Sequence, residues 1–264
     1  MKKIDRGREG LASLEAGQGP VAVLVHGYPL DSEMWLDQVA ALAADRHVVA
    51  PDLRGHGASA WRGDSIHTMD LLADDVIALI ESEGWGQVDL VGLSMGGYVV
   101  LSLMERRPDL VRTLALVDTK ATEDSAEGKL GRDAAAAGVL ENGRAKLSGD
   151  MTPKLLGPDA PATVKARVRS MIERQSYETT VADLAGMRDR PDRMSVLSGI
   201  TVPVCVIVGE NDVVTPKPEA EAMVAACSGA ELVVIPGAGH LSPMEAPAAV
   251  SQALAALWAR AGGA

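Results

Sequence analysis

The stretch Val88-Asp89-Leu90-Val91-Gly92-Leu93-Ser94-Met95-Gly96-Gly97 decides how this chain folds. Its apolar positions Val88, Leu90 and Val91 read as a short buried strand that runs straight into Gly-x-Ser-x-Gly. The next residues, Tyr98 to Met104, are helix-like in composition and are closed by Arg106-Arg107-Pro108. A strand–turn–helix this tight forces Ser94 into a strained backbone conformation, and the glycines two before and two after it are needed because a Cβ would collide. The hydroxyl is then displayed at the strand's carboxyl end, above the helix amides. Gly-x-Ser-x-Gly alone is a weak pattern; its place between this strand and this helix makes Ser94 a candidate nucleophile.

A lone serine hydroxyl is a poor nucleophile, so it needs a base. Of the five histidines, His240 lies on the glycine-rich segment Gly237-Ala238-Gly239-His240, just past the apolar run Leu232-Val233-Val234-Ile235. His26 follows the strand-like Val21–Val25 but precedes Gly27 and Tyr28, which suggests another task. His47 reads as structural, His56 as part of a turn held together by polar side chains, and His67 as a solvated surface residue. His240 is therefore the expected base. The carboxylate that orients it is expected at Asp212, at the end of Val204-Cys205-Val206-Ile207-Val208-Gly209-Glu210-Asn211-Asp212. The order Ser94, Asp212, His240 fits this reading. Asp118, after Leu114–Val117, is a rival, and Glu210 a weaker one.

Acyl transfer also needs donors for a developing oxyanion. The expected pair is the amides of Met95, directly after the nucleophile, and of Tyr28, in the loop His26-Gly27-Tyr28-Pro29-Leu30-Asp31. Pro29 has no amide hydrogen and cannot donate.

With these residues assembled, the chain resembles the α/β-hydrolase superfamily over nearly its whole length. The matching pieces are His26-Gly27-Tyr28-Pro29, Asp52-Leu53-Arg54-Gly55-His56-Gly57-Ala58-Ser59, Gly92-Leu93-Ser94-Met95-Gly96-Gly97, Gly209-Glu210-Asn211-Asp212 and Gly237-Ala238-Gly239-His240. Within the superfamily it looks most like small bacterial serine esterases grouped with cofactor-free haloperoxidases (perhydrolases) and enol-lactone hydrolases. The resemblance implies a serine hydrolase of small to medium esters or lactones that uses no cofactor. A serine at position 94 disfavours the branches of the superfamily that use aspartate there. Pro29 resembles the perhydrolase branch, where its carbonyl is placed to accept a hydrogen bond from peroxide. Carbon–carbon bond hydrolysis, cyanohydrin cleavage and a ligand receptor with residual hydrolysis are the other readings.

Composition narrows the partners. The net charge of −11 argues against nucleic acid, whose phosphates call for a basic surface. No apolar stretch approaches the about 18 residues of a membrane span, and Met1-Lys2-Lys3-Ile4-Asp5-Arg6 has no secretory character. With Cys205 in a predicted strand and Cys227 in or after a helix, the two cysteines read as reduced thiols of a cytoplasmic protein. No histidine–cysteine spacing suggests a metal site.

The alternation of apolar runs and helical stretches predicts an α/β fold, a mostly parallel eight-stranded sheet with helices on both faces. A hairpin is expected over Lys2 to Glu15. Strands are expected near Val21–Val25, His47–Ala50, Val88–Val91, Thr113–Val117, Val204–Val208 and Leu232–Ile235. Helices are expected near Ser32–Ala44, Met69–Glu83, Met95–Arg106, Lys217–Ala226 and Ala246–Ala261. Leu72, Val76, Leu79 and Ile80 form a core-facing stripe. The pattern breaks over residues 121–198, which predicts a helical cap inserted in a core of residues 1–120 and 199–264. Thr163–Arg174 and Thr179–Arg188 are its clear helical pieces. This segment holds twelve basic and twelve acidic residues, so it offers no net charge as a clamp. Met151, Met171, Met187 and Met194 are available to line an adaptable pocket or to pack between helices, and Tyr177 is a candidate pocket residue.

Overall fold

In the computed structural model, which describes residues 1–7 and 10–261, the apolar runs pair into one sheet. Its strands among the described residues are β1 (Lys2–Ile4), β2 (Ser13–Ala16), β3 (Val21–Val25), β4 (His47–Pro51), β5 (Val88–Leu93), β6 (Val111–Val117), β7 (Val204–Gly209) and β8 (Glu231–Ile235). They lie in the order β1-β2-β4-β3-β5-β6-β7-β8. β3 to β8 run parallel, and β1 and β2 add an antiparallel edge. The turn of the expected N-terminal hairpin includes residues 8 and 9, which lie outside the described residues, as do residues 262–264 at the end of the expected core.

Every residue of β3, β5 and β7 is buried, as expected of parallel strands covered on both faces. The helices, in chain order, are α1 (Leu36–Leu42), α2 (Met69–Ser82), α3 (Met95–Arg106), α4 (Ala126–Leu155), α5 (Ala162–Arg174), α6 (Tyr177–Arg188), α7 (Met194–Leu197), α8 (Lys217–Ala226), α9 (Ser242–Glu245) and α10 (Pro247–Ala261). The stripe Leu72, Val76, Leu79 and Ile80 of α2 joins α3 and α8 in the apolar layer on one side of the sheet. Val39 and Leu42 of α1 and Leu254 and Leu257 of α10 fill the layer on the other. Asp89 is fully buried within β5, and its charge is met on both oxygens. Arg112 Nε and Thr113 Oγ1 each donate to Oδ1 at 2.9 Å, and Arg46 Nε donates to Oδ2 at 3.2 Å.

Four helices, α4 to α7, separate β6 from β7. Two of them sit where the sequence places helical pieces, but α4 is an addition to that reading. Gly128, Gly131, Gly138, Gly149 and Pro153 all fall inside it, and it breaks at Gly143, whose φ of 81° is left-handed. Interior glycine costs a helix about 1 kcal/mol relative to alanine, so a glycine-rich stretch reads as loop. Packing against α5 and α6 overrides that preference.

α6 docks on the loop between β4 and α2 through buried polar contacts. Thr179 Oγ1 donates to the Gly55 carbonyl at 3.0 Å, and the His67 amide donates to the Ala182 carbonyl at 3.0 Å. Asp183 lies between two histidines. His67 Nδ1 donates to its Oδ1 at 2.7 Å, and His56 Nε2 stands 2.9 Å from its Oδ2 as an ion pair. All three side chains are fully buried. This corrects the expectation of a solvated His67: α6 covers it, and nothing in the local sequence announces a partner 116 residues away. Burial acts to discharge His56, but the Asp183 charge outweighs it and raises the imidazole's pKa. Burial likewise acts to neutralise Asp183, and the two histidines hold it below the usual carboxylate range.

The sign of the pH effect follows. The His56 contribution is full below the unfolded value of about 6.5 and is lost as pH rises through the folded value; the Asp183 contribution is full above about 3.9 and is lost as pH falls below it. Asp183→Asn is expected to destabilise the protein by about 3 kcal/mol near pH 5.5, and by less at pH 8. Urea unfolding at both pH values measures this, and equal losses at the two would overturn the ionic assignment.

Candidate functional site

β5 delivers the chain to Ser94 and α3 takes it away, and the reversal between them leaves Ser94 at φ 52° and ψ −114°. The Ser94 amide donates to the Val117 carbonyl at 3.0 Å, while its own carbonyl accepts from Gly97 N at 2.8 Å and from Thr119 Oγ1 at 2.7 Å. The turn is thus held from both sides. The glycine requirement is steric: a Cβ on Gly92 would run into the Gly96 carbonyl, and one on Gly96 into the carbonyl of Val25.

The loop after β3 lies directly over this turn. A Cβ on Gly27 would stand 2.8 Å from Leu93 Cδ2 and 3.2 Å from Ser94 Cβ. His26 supports the loop from behind: its Nδ1 donates to the Gly27 carbonyl at 3.0 Å, and its Nε2 accepts from Leu53 N at 3.0 Å. Burial and the neighbouring His56 lower the His26 pKa to about 4, so the ring is neutral and suited to this one-donor, one-acceptor role. At the loop's far end Asp31 accepts from Arg174 Nε and Nη2 at 2.7 Å each, which ties α5 to the same loop.

His240 and Asp212 come from loops beyond β8 and β7. His240 Nε2 lies 2.8 Å from Ser94 Oγ, and its Nδ1 lies 2.8 Å from Asp212 Oδ2. Asp212 is further fixed by the Val214 and Thr215 amides on Oδ1, at 2.8 and 3.0 Å, and by Thr215 Oγ1 on Oδ2 at 2.8 Å. Burial would raise its pKa, but these donors and His240 hold the carboxyl below the usual range. A carboxylate on Nδ1 leaves Nε2 as the acceptor for the serine proton.

The rivals stand elsewhere. Glu210 accepts from the Gly237 amide at 2.9 Å, on the outside of the loop. Asp118 is buried nearby but faces other groups: Gly209 N donates to its Oδ1 at 2.7 Å, and Ser242 N and Oγ donate to its Oδ2 at 3.1 and 2.6 Å. It therefore joins the root of the Asp212 loop to the residues after His240. Glu245 does similar work, accepting from Gly239 N at 2.8 Å and from Gly157 N at 2.7 Å. Sequence reasoning missed Glu245 and the linking task of Asp118, whose partners are remote or are backbone amides without a pattern, and it missed Thr215, three residues after Asp212, which no motif marks.

Ser94 and His240 open on a cavity of about 510 Å³ between the sheet's carboxyl edge and the helices α4 and α6. Tyr28, Tyr98, Leu184 and Val214 form part of its wall, as do Met151 and Met187. Met171 belongs instead to the apolar layer beneath α10, and Met194 packs against the opposite one. Pro29 is buried and does not line this cavity. Tyr177 does not reach it either: its ring lies 4.6 Å from the Arg144 guanidinium and is turned outward, 37% exposed. Position at the start of α6 sets this direction, which composition could not reveal. Among the described residues no His, Cys, Asp or Glu cluster could hold a metal ion, and no helix is long and apolar enough to cross a membrane.

The parallel sheet, the strained serine turn and the helices inserted before β7 define an α/β-hydrolase architecture. The chain belongs to the alpha/beta hydrolase family, which it matches over residues 22–253. It is 37% identical to a thermophilic esterase from Thermogutta terrifontis, with a TM-score of 0.91 and coverage of 95% of this chain and 93% of that one. It is 26% identical to the enol-lactonase of Burkholderia xenovorans, with a TM-score of 0.87 and coverage of 94% and 97%. It is also 32% identical, over 90% of its length, to the dihydrolipoyllysine-residue acetyltransferase component of the acetoin cleaving system of Pseudomonas putida. The chain spans only 63% of that relative's length.

Asp118 carries a measurable signature. Burial first, then the neighbouring Asp212 charge, raise its pKa to about 7 against the bonds from Ser242 and Gly209. The folded state therefore holds a proton that the unfolded chain, with a carboxyl near 3.9, has released. Its contribution is full below about pH 4 and is lost as pH rises through about 7. Asp118→Asn is expected to remove that slope from a plot of urea midpoint against pH between 4 and 8. A slope identical to wild type would reject the assignment.

Proposed function

We propose that the protein is a serine hydrolase of small to medium carboxylic esters and lactones, working through an acyl-enzyme on Ser94. One observation carries this reading: the continuous line from Ser94 Oγ through both His240 nitrogens to Asp212 Oδ2, opening on a cavity. The similarity to an esterase and to an enol-lactonase supports it.

In this mechanism Ser94 Oγ attacks the carbonyl carbon and passes its proton to His240 Nε2. Asp212 keeps Nδ1 protonated and stabilises the imidazolium. The oxyanion is held by the amides of Met95, at the start of α3, and Tyr28, in the loop that crosses Ser94. His240 then returns the proton to the departing alkoxide. In a lactone that alcohol stays tethered to the acyl group. Water, deprotonated by His240, attacks the acyl-enzyme and releases the acid. The cap helices, residues 121–198, cover the bound substrate, and the buried free cysteines Cys205 and Cys227 suit a reducing cytoplasmic setting.

The test is hydrolysis of p-nitrophenyl acetate, butyrate and octanoate. Ser94→Ala is expected to lower kcat by about 10⁴-fold or more, and Asp212→Asn by about 10⁴-fold through loss of the correct tautomer. Asp118→Asn, which touches neither Ser94 nor His240, is expected to stay within about tenfold of wild type. Turnover that survives Ser94→Ala would reject the acyl-enzyme. Peracid formed on adding hydrogen peroxide would place the enzyme with the perhydrolases.

A further inference from the structure

α4 turns a stripe of small residues toward the cavity: Gly128, Gly131, Ala135 and Gly138 all line it at helical spacing. One long side chain interrupts the stripe, Arg132. Its Nε donates to Asp124 Oδ2 at 2.9 Å, and among the described residues its two terminal nitrogens have no protein acceptor. Asp124 is shared: Arg132 holds its Oδ2, and its Oδ1 faces two other cations. Arg190, almost fully buried, donates through Nη2 to Asp124 Oδ1 at 2.8 Å, and Lys120 Nζ lies 3.6 Å from the same oxygen. Three cations thus share one carboxylate. The Arg190 guanidinium also lies 4.1 Å over the Tyr98 ring and donates to the Met187 and Thr122 carbonyls, so its place is structural. Among the described residues the terminal nitrogens of Arg132 are left for a further acceptor.

Two further groups face the same region. Among the described residues the buried Tyr28 Oη has no hydrogen-bond partner, and Tyr98 lines the same cavity. The charge of Arg132 acts on both phenols, together with that of Asp183 on Tyr28 and that of Arg190 on Tyr98. The acid among the other lining residues, Asp150, is paired with Lys146 at the exposed rim and does not offset the charge inside. The overall balance of charge in residues 121–198 therefore conceals a local surplus where the substrate sits, contrary to the expectation from composition.

We infer that Arg132 forms a carboxylate subsite in the cavity that Tyr28 and Tyr98 also line, and that the preferred substrates are esters or lactones bearing a free carboxylate. Monoesters of short dicarboxylic acids are the simplest members of this class. A guanidinium presents two parallel N–H groups that match the two carboxylate oxygens, and such a charge-assisted pair is stronger than a neutral hydrogen bond. A neutral ester group placed there would leave the terminal nitrogens of Arg132 without an anionic partner. The inference rests on the esterase reading above.

The test compares monomethyl glutarate with dimethyl glutarate by pH-stat, in wild type, Arg132→Gln and Arg132→Lys. Wild type is expected to favour the monoester in kcat/KM by about 10- to 100-fold, the range of a charge-assisted pair. The monoester-to-diester ratio is expected to collapse toward one in Arg132→Gln and to fall in part in Arg132→Lys. Because a ratio is read, general loss of activity or of folded protein cancels. A wild-type ratio near or below one, or an unchanged ratio in Arg132→Gln, would overturn the subsite. Hydrolysis of p-nitrophenyl butyrate by wild type separates the two failures: if it is absent, the esterase reading fails. Binding of monomethyl glutarate to Ser94→Ala, followed by calorimetry with and without Arg132→Gln, then judges the subsite alone. Equal affinity in the two proteins would overturn it.

Discussion

The reversal of the chain at Ser94 is the constraint on which the rest depends. A serine at φ 52° is strained, and strain of this kind persists only where the surroundings over-determine it. Here the surroundings are the centre of the sheet. β5 lies between β3 and β6, the Val25 carbonyl closes against Gly96, and the Val117 carbonyl takes the Ser94 amide. Strand order, glycine placement and the direction of the hydroxyl are one fact seen at three scales. Once Ser94 is raised at the sheet's edge, loops leaving β3, β7 and β8 at that same edge can converge on it, as loops at the carboxyl ends of parallel strands do.

Convergence alone would leave those loops free to drift. What holds them is a set of buried carboxylates, each with its own partners. Asp31 binds α5 to the loop above Ser94, Asp118 joins the Gly209 and Ser242 segments, Glu245 joins Gly239 to Gly157, and Asp183 joins α6 to two histidines. Leaving any of these carboxylates without its donors would be costly, so each fixes one arrangement of its loops. Apolar packing makes the sheet; these acids fix the geometry at its edge.

Much of this was legible in the sequence, for an identifiable reason. Short apolar runs each followed by glycine or a polar residue encode parallel strands and their loops, so the sheet, Ser94, Asp212 and His240 stand out from local pattern. What stayed hidden depends on distance in the chain. His67 reads as a surface residue until α6 covers it, and Tyr177 reads as a pocket residue until helix direction turns it outward. Arg132 vanishes into a segment whose charges balance, because charge counting ignores which side of a helix a residue occupies. α4 itself was missed because its glycines look like loop when the cavity they border is not yet known.

Those glycines also bear on how this chain can change. A Cβ added at Gly131 or Gly138 would meet nothing within 4 Å, although both positions border the cavity. Neither glycine is there for want of room in the protein, and each weakens its helix by about 1 kcal/mol relative to alanine. The helix forgoes that stability, and the space a methyl group would fill stays open at the cavity wall. Single substitutions at these two positions would narrow the chamber one methyl group at a time, strengthening the fold as they do so. Substrate range and the architecture that carries the chemistry are therefore separately adjustable, and a lineage descending from this sequence could shift its preference without disturbing the sheet or the serine turn.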